Sequence, residues 1–284
     1  MMIVDKKVMG EVIVIVNQKG GVSKTTTALS LWTGLSLLKG FKTLAIDLDP
    51  QCNLTISSGG VMDKNTAFDV LIGNIQAEES VQSTKLGDLI AGHKGLSGME
   101  ALLTQVGREY RLKNELSSLM ETGKYDFIII DTPPSLGILT VNALTACTSA
   151  IVPANADFFS MYGISQLGET LASVKKYTNP QLKTAGILLT RYTARTLLSR
   201  DMTANIEKLA ELLGTKVFAS KIRESVTVRE AQLAQKSIFD YAPKSKVTQD
   251  YEEFINEIID DVNDVHGIEH ADTMHDTHDH SVSH

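Results

Sequence analysis

Unbroken apolar runs alternate along this chain with stretches where apolar residues return every third or fourth position. The runs are VIVIV at 12–16, TLAID at 43–47, FIIID at 127–131, AIVP at 150–153 and AGILLT at 185–190, with a weaker KVFAS at 216–220. A strand that is apolar at consecutive positions is covered on both faces, as in a parallel sheet. Helical spacing fills the intervals at about 24–39, 100–122, 162–177 and 200–213. That order predicts a doubly wound α/β fold, a mainly parallel sheet flanked by helices and joined by right-handed crossovers. No internal repeat and no Pro/Gly-rich linker divides it, so one domain is expected over 11–264, after an extension at 1–10. The segment 55–100 is less regular. The last helix is expected at 248–262, where Tyr251, Phe254, Ile255, Ile258 and Ile259 recur at helical spacing. Residues 265–284 are polar and rich in His and Asp, and too poor in apolar groups to offset the entropy of ordering, so disorder is expected there.

Composition changes this picture little. Hydrophobic residues make up 43% of the chain and charged residues 21%, ordinary for a soluble globular protein. No apolar run reaches the ~18 residues that span a bilayer. The two cysteines, Cys52 and Cys147, form no metal-binding spacing, and reduced thiols in a cytoplasm are the expectation. Six of the seven histidines lie from His266 onward, where they form either a weak divalent-metal tract or a solvated tail.

Charge is unevenly spread. The net charge is −7, yet no Lys or Arg follows Lys246, and 11 Asp and Glu do. Between Lys175 and Lys246 there are 14 basic and 6 acidic residues. A local basic excess can mark a nucleic-acid surface despite an acidic pI, and the alternative is a scatter of solvated lysines.

The candidate chemistry begins at "VNQKGGVSKTTTAL", Val16 to Leu29. It follows a buried strand and opens a helix, the setting of a phosphate-binding loop. The ordinary loop reads G-x-x-x-x-G-K-[ST], and here Gln18 and Ser23 replace both glycines. Lys24 is placed to reach the β- and γ-phosphates, and the Thr25 hydroxyl to ligate Mg²⁺. Two strands end in aspartate: "TLAIDLDPQCNLT" gives Asp47 and then Asp49, and "YDFIIIDTPPS" gives Asp131. Parallel strands present their C-terminal ends at one ligand-binding edge. These carboxylates should therefore converge on the loop, to hold Mg²⁺ or orient water. Strand-terminal aspartates that merely begin turns are the alternative.

"KGGVSKTTT", "DLDPQCNLT" and "DTPPS" resemble the deviant Walker motifs of the ParA/MinD ATPases, specifically the ParA/Soj plasmid- and chromosome-partition type. "PANADFFSMYGISQL" and "DYAPKSKVTQDYEEF" resemble later segments of that family, so the likeness covers roughly 10–262. The family loop reads K-G-G-x-G-K-[ST], which makes Gln18 no defect and leaves Ser23 as the departure. The resemblance implies ATP and Mg²⁺ as ligands, held by Lys19, Gly20, Gly21, Val22, Ser23, Lys24, Thr25 and Thr26. It implies that Lys19 crosses a dimer interface to the partner's nucleotide, that Asp49 activates water, and that Thr25, Asp47 and Asp131 support the metal. It further implies a slow, partner-stimulated ATPase acting as a homodimer. That dimer would bind nonspecific double-stranded DNA and work with a ParB-like centromere-binding protein, in a cytoplasmic, nucleoid-associated setting. Candidate DNA contacts are Arg191, Arg195, Arg200, Lys221, Arg223, Arg229 and Lys246.

Three other readings share the core. A MinD-like membrane switch needs a basic amphipathic C-terminal helix, and this chain ends acidic. A metal-cluster carrier needs paired cysteines. An ATP-switched DNA-binding regulator, poor in hydrolysis because of Ser23, needs neither.

Overall fold

The computed structural model describes residues 10–63, 65–193 and 197–265. Eight strands form one sheet: β1 (Glu11–Ile15), β2 (Thr43–Asp47), β3 (Val81–Thr84), β4 (Gly87–Ile90), β5 (Phe127–Asp131), β6 (Ser149–Ala154), β7 (Lys183–Tyr192) and β8 (Val217–Arg223). Their spatial order is β3-β4-β2-β5-β1-β6-β7-β8. Only the edge strand β3 is antiparallel to its neighbour. From β1 the chain runs to β2 and on to the far edge, returns to β5 beside β1, and then crosses to β6, β7 and β8 on the other side, so the loop after β1 lies between the two halves of the sheet.

The helices are α1 (Lys24–Lys39), α2 (Asn53–Ser58), α3 (Ala67–Ile72), α4 (Met99–Leu102), α5 (Arg111–Glu121), α6 (Ile138–Ala146), α7 (Phe158–Tyr177), α8 (Leu197–Leu212), α9 (Val226–Leu233), α10 (Ile238–Tyr241) and α11 (Lys246–Val265). The consecutive apolar residues of the central strands divide between two cores. Val12, Val14, Ile128 and Ile130 face a layer that includes α5, α6 and α7. Ile13, Ile15, Phe127 and Ile129 face Trp32 and Leu35 of α1 and Tyr251, Phe254 and Ile255 of α11. Burial on both faces is why these strands read as unbroken apolar runs.

All six expected strands are present. The expected helix over 100–122 is two helices: Gly107, in the left-handed region at φ 80°, separates α4 from α5. The irregular segment 55–100 holds α2, α3 and the β3–β4 hairpin. That hairpin escaped the hydrophobic pattern because its strands are only four residues long, the edge strand β3 is largely polar, and β4 contributes just Leu89 and Ile90 to the core. The expected last helix extends at both ends, from Lys246 to Val265, so Val265 belongs to it rather than to the tail. Residues 1–9 and 266–284, expected as extension and tail, lie outside the described residues.

Helix α11 closes the α1 face. Its buried residues stack on α1 at Gly34, which has no side chain to hold the helices apart. A Cβ there would lie 2.8 Å from the Phe239 ring and closer still to Ile255. Gly34→Val should therefore lower unfolding stability by about 2 kcal/mol, the ordinary range for overpacking a core. Urea denaturation followed at Trp32, the single tryptophan, measures it, and an unchanged midpoint would contradict this packing.

Candidate phosphate-binding site

The loop after β1 is shaped by its own side chains. Asn17 is fully buried. Its Nδ2 donates to the Pro153 carbonyl at 2.8 Å, and its Oδ1 accepts from the Lys19 amide at 2.9 Å. These bonds tie the start of the loop to the end of β6. Val22 is fully buried and pins the far side, where Thr190 Oγ1 donates to its carbonyl at 3.2 Å. Between these anchors Gly20 and Gly21 stand open, with no atom within 4 Å of a Cβ placed on either. Such a cradle of backbone amides at a helix N-terminus suits an anion.

Ser23 is the helix N-cap, at φ 63° and ψ 28°, and its side chain makes no capping bond. This is the left-handed region, which costs a non-glycine residue about 1–2 kcal/mol. The observed cost lies in the backbone, and it falls at the turn from loop into α1.

Lys24 is buried, with only 7% exposure. Its Nζ donates to the Lys19 carbonyl at 3.1 Å. Burial pushes its pKa below the usual lysine value, while Asp131 and Asp49 act in the opposite direction. The strand register supplies the carboxylates. Asp47 of β2 lies directly opposite Asp131 of β5, and Asp131 directly opposite Ile15, the last residue of β1.

The two aspartates differ in what they hold. Asp47 Oδ2 accepts from the Thr55 amide at 2.9 Å and the Thr55 hydroxyl at 2.7 Å, and its Oδ1 accepts from the Asp49 amide at 3.1 Å. Thr55 Oγ1 in turn accepts from the Gly92 amide at 2.8 Å. Asp47, expected to support the metal, here fastens the 48–55 loop. Burial raises its pKa to about 6 despite these bonds. Asp131 is fully buried, and neither oxygen has a hydrogen-bond partner. The Thr25 hydroxyl lies near enough to favour its charged form, but outside hydrogen-bonding geometry. Burial, reinforced by the charge of Asp47, holds the Asp131 carboxyl well above its usual range.

An orphaned buried carboxylate beside a buried lysine, under an open amide cradle, fits a cation carried with an anion. No cluster of three or more His, Cys, Asp or Glu able to hold a metal occurs among the described residues. An ion such as Mg²⁺ takes one or two protein oxygens and completes its shell with water and phosphate.

Asp49 is also buried, and its Oδ1 accepts from the Gln51 amide at 2.9 Å. Next to it Cys52 adopts φ 55° and caps α2. Burial, then Asp47 and Asp49, push the Cys52 thiol up to about 11. Lys19 turns away from Lys24. Its Nζ contacts both oxygens of Asp157, at 2.8 and 2.7 Å, and Ser160 Oγ at 3.3 Å. Asp157 was not singled out in the sequence, although an aspartate before a helical run signals an N-cap.

The basic candidates divide. Arg191, Arg223 and Arg229 line a cleft of about 250 Å³ beside Gly21, Ser23 and Thr26, next to the loop itself. Arg191 pairs with Glu224 at 2.6 Å, and Arg223 grips Asp250 with two 2.6 Å bonds. Lys221 Nζ lies 4.8 Å from the Tyr192 ring centroid. Arg200 and Lys246 are exposed on α8 and α11, and Arg195 lies outside the described residues.

Comparison with known proteins agrees with this geometry. A family described as an AAA domain matches residues 10–184. The chain is 37% identical over 253 residues to the chromosome partitioning protein ParA of Caulobacter vibrioides, covering 87% of this chain and 93% of that one. It is 37% identical over 257 residues to the sporulation initiation inhibitor protein Soj of Bacillus subtilis, covering 88% and 98%. Among solved structures, the cobyrinic acid a,c-diamide synthase of Mycobacterium smegmatis with bound ADP and magnesium superposes with a TM-score of 0.76 at 36% identity, over 88% of this chain and 94% of that one. The deviant loop, the strand-terminal aspartates and these likenesses together make the chain a member of the ParA/Soj family of P-loop proteins.

Proposed function

We propose that this chain is a partition ATPase that binds ATP with Mg²⁺ and uses the nucleotide as a switch. The observation that carries the reading is the orphaned Asp131 carboxylate beside buried Lys24 beneath the open loop. The ParA and Soj relatives support the partitioning role. The magnesium and ADP of the M. smegmatis neighbour support the ligands.

On this reading Lys24 and the amides of Gly20 to Thr26 hold the phosphates. Thr25 and Asp131 hold the metal, with Asp47 fixing the loop beside them. Bound Mg²⁺ would neutralise phosphate charge. Asp49 orients the attacking water, and Lys19 enters the site of a second copy. Few groups then stabilise the transition state within one protomer, which makes turnover slow until a partner, ParB-like in this family, supplies more. Binding of ATP favours a dimer that holds double-stranded DNA through phosphate contacts, with affinity falling steeply as salt rises. Arg200, Lys221, Arg229 and Lys246 suit that role better than Arg191 and Arg223, which already have carboxylate partners.

Two alternatives lose ground. A membrane switch would need a C-terminal helix free to lie on lipid. The apolar face of α11 is instead buried against α1. A metal-cluster carrier would need paired cysteines. Cys52 and Cys147 are both buried and lie on separate elements. A hydrolysis-poor regulator keeps one specific support, the left-handed Ser23.

ATP hydrolysis measured alone, with duplex DNA, and with DNA plus a ParB-like partner tests the proposal, alongside gel shifts in ADP and in ATP. Slow basal turnover, strong stimulation and ATP-only DNA binding are expected. DNA binding indifferent to nucleotide would sink the switch. Asp49→Ala should lower stimulated turnover by about 10²-fold while ATP stays bound. Asp131→Asn should leave thermal stability unchanged or raised without ligand, because it removes a buried acid with no partner. The same variant should abolish the stabilisation conferred by Mg²⁺ with nucleotide, and an unchanged Mg²⁺ requirement would take Asp131 out of the metal site. Ser23→Gly relieves the backbone cost. A partition ATPase that tolerates serine should change turnover by less than about tenfold, the equivalent of 1.4 kcal/mol. A larger gain from an inactive wild type would instead favour the regulator.

A further inference from the structure

We propose that Asp157 is a positioning residue that restrains Lys19 within its own protomer, and that a phosphate offered by a second copy must displace it. The inference rests on the reading of Lys19 as the lysine that enters the partner's site.

The geometry is that of a filled coordination shell. An ammonium has three donors. Those of Lys19 are met by the two Asp157 oxygens, at 2.8 and 2.7 Å, and by Ser160 Oγ at 3.3 Å. The Phe159 ring lies 5.9 Å away and covers a further side. The carboxylate is itself fixed. As N-cap of α7, Asp157 Oδ1 accepts the Ser160 amide at 2.8 Å. Burial works against its charge, but Lys19 and the Ser160 amide outweigh it and hold the carboxyl below its usual range. Lys19 is also held by its backbone, through the Asn17 side chain. A lysine so satisfied does not extend away from its own subunit.

The restraint is nevertheless breakable. The lysine side chain is 25% exposed and the aspartate 39%, so water screens the pair. Solvent-exposed pairs of this kind contribute little to stability. A nucleotide phosphate carries more charge than one carboxylate and takes the ammonium in a charge-assisted bond. The contact therefore sets a threshold: isolated protomers keep Lys19 at home, and only a second copy presenting bound nucleotide draws it out. Phe158, Phe159 and Tyr162, on the first turns of α7, are 68%, 72% and 62% exposed, leaving an uncovered apolar surface around the pair that such a copy would cover.

Asn caps a helix about as well as Asp, so Asp157→Asn removes the charge and spares α7. Sedimentation velocity across an ATP series, on the full chain of wild type, Asp157→Asn and Lys19→Ala, reads the threshold, and ADP affinity of each is measured beside it. Asp157→Asn should form half-maximal dimer at about three- to tenfold lower ATP, since one pair is released per protomer. Its melting temperature should stay within about 4 °C of wild type, and its ADP affinity should equal wild type. Lys19→Ala should stay monomeric. An ATP requirement in Asp157→Asn equal to or above wild type overturns the restraint. A change in its ADP affinity of the same size also overturns it, because Asp157 would then act through the loop at large. ATP-dependent dimers of Lys19→Ala would instead overturn the trans-lysine reading beneath the proposal.

Discussion

A buried lysine beside a buried carboxyl whose oxygens accept no hydrogen bond is the constraint around which this site is arranged. Lys24 leaves the loop into α1 and is withdrawn from water, which lowers its pKa. Asp131 ends the adjacent strand with both oxygens unpartnered. Burial raises the carboxyl and lowers the ammonium, and the charge each group offers the other only partly opposes this. Phosphate and a cation together would reverse both shifts at once. The sheet register makes this possible, because parallel strands that end level with one another bring Asp47, Asp131 and the loop to one edge.

The surrounding bonds explain why three aspartates at that edge are not equivalent. Asp47 is consumed by Thr55 and the Asp49 amide, and Thr55 relays the hold to Gly92. A Cβ on Gly92 would come within 3.0 Å of the Asp47 carboxyl carbon, so only glycine lets β4 end so close. The aspartate most deeply built into the network is thus the one that shapes the loop. Asp131, which the network leaves unsatisfied, is available for chemistry.

The same contrast governs the cations. Lys19 and Lys24 stand five residues apart on one loop, yet one is turned inward to a backbone carbonyl and the other outward to α7. Arg191, Arg223 and Arg229 come from β7, β8 and α9 but meet at the loop's flank, two of them already paired with Glu224 and Asp250. The basic excess counted along the segment therefore serves more than one purpose. Part of it flanks the loop and ties β7 and β8 to their neighbours, and part remains on the outer surfaces of α8 and α11.

The strands and the loop were legible in the sequence because each is a local signal. A run such as FIIID declares burial on both faces wherever it folds, and K-G-G-x-S-K-T follows a strand and opens a helix within a few residues. The breaks at Gly107 and in the 55–100 segment were not legible, since short edge strands and left-handed turns leave little periodic trace. Nor could the sequence rank Asp47 against Asp131, or seat Lys19 on Asp157. Spacing says which residues reach an edge. Which lone pairs are already taken there depends on contacts between segments 138 and 168 residues apart, and these exist only once the sheet has closed its register.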